Sequence, residues 1–343
     1  MKVAIVGAGF FGLTLGLFLS KKYQVQIFEK KNSILQGASS ANQFRFHLGY
    51  HYPRSQKTVR EINKSKESFV SFYGSDVFGK TSNYYLLAND SLVNFDKYKK
   101  FLKKNNLYFK LIKNSYNKNI INKNILSNEK ILNYFSFKKK ILSKIKQSNL
   151  IINFNTEFKK NNIKNFDKVI ITTYANNNLL LKKLGIKNLN DFKFELVEKI
   201  LIKLPQKFSK KSYVVVDGKF VCVDPYLGTN YHLLSDVKTS KLETVVGKFP
   251  IFNHENKKYI NKGIIKNINI SQFRNFIKRS SKYLPFLRNA KYVGSFFVVR
   301  AIMKNKERTD ERTSSIKSHS KKIISILSGK WNNCVFLAKN LKI

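Results

Sequence analysis

The chain opens on four apolar residues, VAIV, followed by GAGFFG, an apolar stretch to Leu19, and QVQIF closed by an acid. A continuous β-branched run is the pattern of a strand buried on both faces, so residues 3–6 are expected to form a parallel strand. Leu13, Leu15, Leu17, Phe18 and Leu19 belong to a helix that stops at Ser20-Lys21-Lys22. Residues 24–28 alternate into a second strand that ends at Glu29.

The period then becomes two. Arg45, His47, Gly49 and His51 fall on one face of an extended segment, and Phe44, Phe46, Leu48, Tyr50 and Tyr52 on the other. A strand beside a bound small molecule has this pattern, and so has a half-buried edge strand. Ser55 is placed to cap a helix running to about Phe72. Strands at 83–88 and 107–112 flank a helix at 96–104, and a helix at 137–147 leads to a strand at 150–154. The apolar run after Asp167 ends in Thr172-Thr173-Tyr174. Strands at 194–204, 212–216, 219–223 and 229–234, with Asp217-Gly218 as a hairpin signal, predict an antiparallel sheet. A helix at 271–283 and a strand at 292–302 holding Arg300 follow. The run from Ile323, a turn at Gly329 and a helix at 332–341 repeat the opening order of strand, glycine turn and helix.

Composition changes this picture little. With 343 residues the chain has room for two domains or one large one with an inserted lobe, and 43% hydrophobic and 14% aromatic residues exclude global disorder. The net charge of +45 would suit nucleic acid or an anionic membrane surface. The lysines are scattered among Asn and Ile along the whole chain, so the expectation is a basic surface without a specific nucleic-acid role. Cys222 and Cys334 are too few and too far apart for a disulfide framework or a zinc site. The opening run lacks a cleavage pattern and is short and glycine-rich for a membrane span. No metal site, no membrane span and a reducing cytoplasm are therefore expected.

The chemistry concentrates at GAGFFG, which matches G-x-G-x-x-G between a strand and a helix. Gly7 permits the tight turn, Gly9 lets a diphosphate reach the backbone, and Gly12 lets helix and strand pack closely. Glu29 lies near the spacing of about 20 residues at which a carboxylate accepts from a ribose. Ser39, Ser40 and Asn42 are donors suited to a phosphate, and Thr172 and Thr173 end a strand as such residues do at the carboxyl edge of an open sheet. Together these features predict dinucleotide binding.

GAGFFG with Glu29, ASSANQFR, VIITTYAN and the terminal SGKWNN together resemble the FAD-dependent oxidoreductases of the D-amino-acid oxidase type, which include glycine and sarcosine oxidases. The resemblance implies an α/β fold: a Rossmann-type FAD-binding domain, discontinuous over 1–75, 140–190 and 300–343, with an inserted antiparallel-sheet substrate lobe over 76–139 and 191–299. It implies FAD as cofactor, with Gly7, Gly9 and Gly12 at the diphosphate and Glu29 at the adenosine ribose. Ser39, Asn42 and Arg45 would meet the diphosphate and flavin edge, and Gly329 and Lys330 the pyrimidine end of the ring. Lys30, Thr172 and Thr173 count with the cofactor-binding residues. Thr173-Tyr174-Ala175 departs from the glycine many relatives place there, and HLGYHYPRS is not that of the familiar amino-acid oxidases, so the substrate stays open.

The function expected is FAD-dependent oxidation of a C–N or C–O bond in a small anionic substrate, an amino acid, amine or sugar derivative, by hydride transfer to flavin. His47 or His51 is the candidate base, each with packing beside the ring as its alternative. Arg300 is the candidate anion clamp, with Arg45 and Arg54 also suited. Tyr226 and Tyr231 are candidate positioning residues or ordinary sheet aromatics. A non-redox flavoprotein of the sugar-mutase kind is the second reading, and a Lys-rich interaction protein that kept a nucleotide fold the third.

Overall fold

The computed structural model describes residues 1–113, 116–218, 221–305 and 309–343. Val3, Ala4 and Ile5 are fully buried because their strand, Lys2–Val6, lies inside a six-stranded sheet. From one edge the order is Ser315–Ser318, Ile323–Leu327, Lys168–Ile171, Lys2–Val6, Gln24–Phe28 and Ile151–Asn153. All neighbours run parallel except Ser315–Ser318.

Alternate residues of these strands serve two cores, as a sheet covered on both faces requires. Val3, Ile5, Val25, Ile27 and Ile170 join Leu13, Leu15 and Leu17 of helix Phe10–Leu19 and Val335 of helix Cys334–Asn340. Ala4, Val6, Phe28, Val169 and Ile171 join Leu180, Leu181 and Leu184 on the other side. Helix Phe10–Leu19 is apolar nearly all round because it is enclosed, and each of its fully buried leucines contributes about 1.5–3 kcal/mol.

The second layer is a nine-stranded sheet built on the long strand Phe192–Lys203. One edge pairs with Lys291–Met303 along its length, the other with Lys241–Gly247 and then Tyr231–Asp236. Val221–Tyr226, Lys211–Val216, Ser82–Ala88, Ile121–Ser127 and Phe109–Ile112 continue the sheet. The expected antiparallel pairing needs one correction: Lys211–Val216 and Ser82–Ala88 run parallel. The Asp217-Gly218 hairpin forms with Gly218 at φ +93°, while residues 219–220 of the predicted third strand lie outside the described residues. Val197, Leu201, Phe296 and Val298 pack into the same core as helix Phe10–Leu19, which seats this sheet on the first layer.

The alternating 44–52 segment is not a strand. Only Arg45–Phe46 pairs, with Lys130–Leu132, and Gly49 at φ +126° then turns the chain so that Tyr52 N donates to Gly49 O. Both parities are buried: Arg45 at 2% exposure lies between Phe44 and Phe46. The following helix, Gln56–Tyr73, starts as predicted, with Ser55 accepting from Thr58 N.

Candidate active site

At the opening turn the backbone itself forms a concave wall. Gly7 has φ +105°, and Gly12 has no room for a side chain: a Cβ there would lie 1.9 Å from Gly7 O and 2.7 Å from Thr172 Oγ1. Thr172 explains that crowding, because its hydroxyl donates to Val6 O (2.9 Å) and Gly7 O (3.1 Å) and ties the middle strand to the turn. Thr173 donates to Asn177 Oδ1. Both threonines thus hold the wall through their hydroxyl protons.

Glu29 faces the same wall. One carboxylate oxygen accepts from Ala8 N at 2.8 Å and the other from Lys31 N at 2.9 Å. Two of its roughly four lone-pair sites are thereby filled, which leaves capacity to accept from a diol. Ser39 Oγ accepts from Phe10 N at 3.3 Å, leaving its proton to donate outward. Asn42 is differently used: Oδ1 accepts from Phe44 N and Nδ2 donates to Ser39 O, so its amide staples the loop. Lys30 lies on the cavity lining.

One cavity of about 820 Å³ runs from Gly9, Glu29 and Ser39 past Thr172 and Gly329 to His47, His51 and the second sheet. At the terminal turn, Gly329 lies under the 312–314 backbone: a Cβ would sit 2.2 Å from Arg312 O. Lys330 Nζ stands 4.6 Å from the centre of the Tyr52 ring. Burial, then Arg312, draws its ammonium down to about 7.

His47 and His51 meet with ring centres 5.2 Å apart at 71°, brought together by the Gly49 turn and not by strand alternation. Burial first, and Lys330 second, hold both imidazoles well below their usual value. At pH 7 both rings are neutral and fit to accept a proton. The unfolded chain protonates them near about 6.5 and the folded chain does not, so stability falls as pH drops through that value. Lys330, drawn to about 7 in the folded chain, adds a slope of the same sign that fades as pH falls below that value, so the histidines dominate the lower part of the window. Urea unfolding between about pH 7 and about pH 5 should show this loss, and His47→Gln/His51→Gln should flatten it. An unchanged slope in the double variant would mean that the rings are charged in the folded protein.

Arg45 is placed away from a diphosphate role. Its Nη1 donates to Glu129 Oε2 at 2.9 Å and Nη2 is engaged by Asp224 and Ser212, all buried. Glu129 also accepts from Tyr85 OH (2.6 Å) and Leu48 N (2.9 Å), fixing the chain next to His47. Sequence reasoning missed Glu129, whose partners are remote in the chain. Arg300, expected as an anion clamp, is paired with Glu195: Nε donates to Oε2 at 3.1 Å and Nη2 binds the same oxygen. Lys241 holds the other oxygen at 2.9 Å. Against the upward push of burial, Arg300 and Lys241 keep the Glu195 carboxyl at about 2. Arg54 pairs with Asp217. Tyr226 stacks with Phe44 and packs against Phe135 and Phe296, as an ordinary sheet aromatic does.

Residues 2–129 match the family model of the DAO-type FAD dependent oxidoreductases. Over this first third of its length the chain is similar to the FAD-dependent oxidoreductases. Solved structures agree in fold over almost the whole chain. Glycine oxidase from Geobacillus kaustophilus has a TM-score of 0.68 at 14% identity, covering 98% of this chain and 92% of its own. L-proline dehydrogenase from P. horikoshii gives 0.72 at 13% identity, over 98% and 90%. L-α-glycerophosphate oxidase from Mycoplasma pneumoniae, solved with FAD bound, gives 0.70 at 15% identity, over 98% and 92%. An FAD-dependent monooxygenase of Fusarium mangiferae is 29% identical over 109 residues, 31% of this chain and 30% of its own. The FAD-dependent monooxygenase kojA of Aspergillus flavus is 39% identical over 74 residues, 21% and 17%. The chain therefore aligns with under a third of the length of these curated relatives.

FAD is the cofactor named by the matched family model and by the relatives above. The side chains present fit it: a wall without Cβ atoms at Gly9 and Gly12, a carboxylate with open lone pairs at Glu29, and a long cavity leading to the second sheet. Among the described residues no cluster of His, Cys, Asp and Glu could hold a metal, and no helix is long and apolar enough to cross a membrane.

Proposed function

We propose that the chain oxidises a C–N or C–O bond of a small anionic molecule, an amino acid, amine or sugar derivative, in the part of the cavity bounded by His47, His51 and the second sheet. FAD, when bound, supplies the hydride acceptor, and the protein supplies orientation and proton handling. The observation that carries this reading is the pair of imidazoles, ring centres 5.2 Å apart, that line the same cavity as Glu29 and the glycine turn. A neutral ring accepts the proton released from an alcohol or amine, and the buried Tyr52 ring, 5.4 Å from both imidazoles, packs beside them. Gly7, Gly9, Gly12, Glu29, Lys30 and Ser39 would hold the adenosine diphosphate, with Thr172, Thr173 and Asn42 shaping the wall. Gly329 and Lys330 would lie at the ring end.

The relatives named above are oxidases, dehydrogenases and monooxygenases, and nothing among them favours a non-redox flavoprotein. Anaerobic mixing of the yellow protein with a panel of small amines, amino acids, hydroxy acids and sugar acids tests the proposal. Loss of the visible flavin absorbance with one compound class is expected. A flavin reducible by dithionite but by none of the panel would overturn it.

A further inference from the structure

Across the second sheet, three strands place polar side chains in one row facing the cavity. Cys222 pairs with Ser235, and Lys199 and Ser235 flank the Ile200–Leu234 pair on opposite strands. All three line the cavity, together with Gln43 from the loop opposite. Gln43 Nε2 donates to Ser235 Oγ at 2.7 Å and to the Cys222 carbonyl at 3.4 Å. A carbonyl only accepts, which fixes the amide orientation. Gln43 Oε1 is then a buried acceptor with no partner among the described residues.

Lys199 is the complementary case. It projects from a strand whose other inward residues are Val197 and Leu201, both buried. No carboxylate lies within ion-pair distance of it among the described residues, although Arg45, Arg54, Arg279 and Arg300 each have one. An unpaired ammonium is costly to bury unless a ligand completes it. Arg300, by contrast, is neutralised by Glu195.

Building on the reading above, we propose that Lys199 and Gln43 form the subsite for the substrate's anionic group: Lys199 donates to a carboxylate or phosphate oxygen, and Gln43 Oε1 accepts from an O–H or N–H beside it. This is a positioning role in recognition, and it moves the anion contact from Arg300 to Lys199 on the neighbouring strand.

Burial, then Arg300, lowers Lys199 to about 8, while Cys222 and Asp224 act in the other direction. Arg300, Arg312, Lys330, His47, His51, Tyr52 and Cys222 are among the other titratable or charged groups that line the cavity. The experiment is calorimetric titration of the FAD-loaded protein with acetate, glycolate and inorganic phosphate, with cofactor content checked in every variant. The parent should bind glycolate more tightly than acetate, because only glycolate has a hydroxyl for Gln43. The carboxylate and phosphate arms identify which anion the subsite takes. Lys199→Met should weaken the preferred anion by about 10- to 100-fold, the range of a charge-assisted hydrogen bond. Arg300→Lys should change it by less than about threefold, because its charge stays with Glu195. Parent affinity should fall as pH rises through about 8, and Lys199→Arg should bind without that break. A break near 7 that persists in Lys199→Arg would assign the anion to Lys330 and overturn the proposal. Binding needs no turnover, so the outcomes separate: a protein reduced by its substrate yet binding anions equally in parent and Lys199→Met refutes the subsite alone. Lys199-dependent binding without any reducing substrate refutes only the oxidation.

Discussion

Gly12→Ala is expected to abolish FAD binding. The added Cβ would sit 1.9 Å from a backbone carbonyl, Gly7 O, with Thr172 Oγ1 at 2.7 Å. Neither can move freely: Gly7 O belongs to the turn, and Thr172 is held by Val6 O. Relief requires helix Phe10–Leu19 to shift away from its sheet, where Ile27 and Leu150 lie against Gly16. Overpacking of this kind costs about 3 kcal/mol, the top of its usual range, which is roughly 150-fold in affinity if it falls on the wall. Cofactor content after purification and dialysis, together with the urea midpoint, measures the effect. Stoichiometric FAD at unchanged stability in Gly12→Ala would show that the helix does not pack on the turn as described.

Glu129→Gln should be the most destabilising single change in the second sheet's buried network. Glu129 is engaged by Arg45, Tyr85 and Leu48 N, and Arg45 is also bound by Asp224 and Ser212. The amide keeps the volume but removes the charge, leaves Arg45 with one carboxylate, and sets a donor against Tyr85 or Leu48 N. Removing one partner of a buried ion pair costs about 3–5 kcal/mol. Urea unfolding should register that loss. Because Leu48 N is released beside His47, the visible spectrum of the bound cofactor should shift as well. Arg45→Met combined with Glu129→Gln should lose clearly less than the sum of the two singles, since each strands the same pair. Full additivity would mean that the network does not couple.

What was legible in the sequence was local. The opening strand, glycine turn, helix and Glu29 could be read because each part is specified within a few residues by apolar runs and glycine spacing. The hairpin at Asp217-Gly218 was legible for the same reason. His47 and His51 do come together, but not by strand alternation: they meet through a turn at Gly49, whose positive φ alternation cannot reveal. Strands Ile121–Ser127 and Lys241–Gly247 were missed because Asn, Lys and Glu interrupt their period. Arg45 and Arg300 were expected at ligands because arginine forks suit anions, but their partners Glu129, Asp224 and Glu195 are distant in the chain. Lys199 did leave a signal, a lysine inside the apolar run FKFELVEKILIK. A charge in a strand buried on both faces needs either a partner or a ligand.

The central claim is that the wall formed by Gly7, Gly9, Gly12 and Glu29 holds FAD in the cavity that ends at the two histidines. The most direct test is the absorbance spectrum of the protein purified with added FAD, followed by chromatographic identification of the cofactor released on denaturation. The account predicts a flavin spectrum with about one FAD per chain. A colourless protein, or release of a nicotinamide dinucleotide instead, would contradict it.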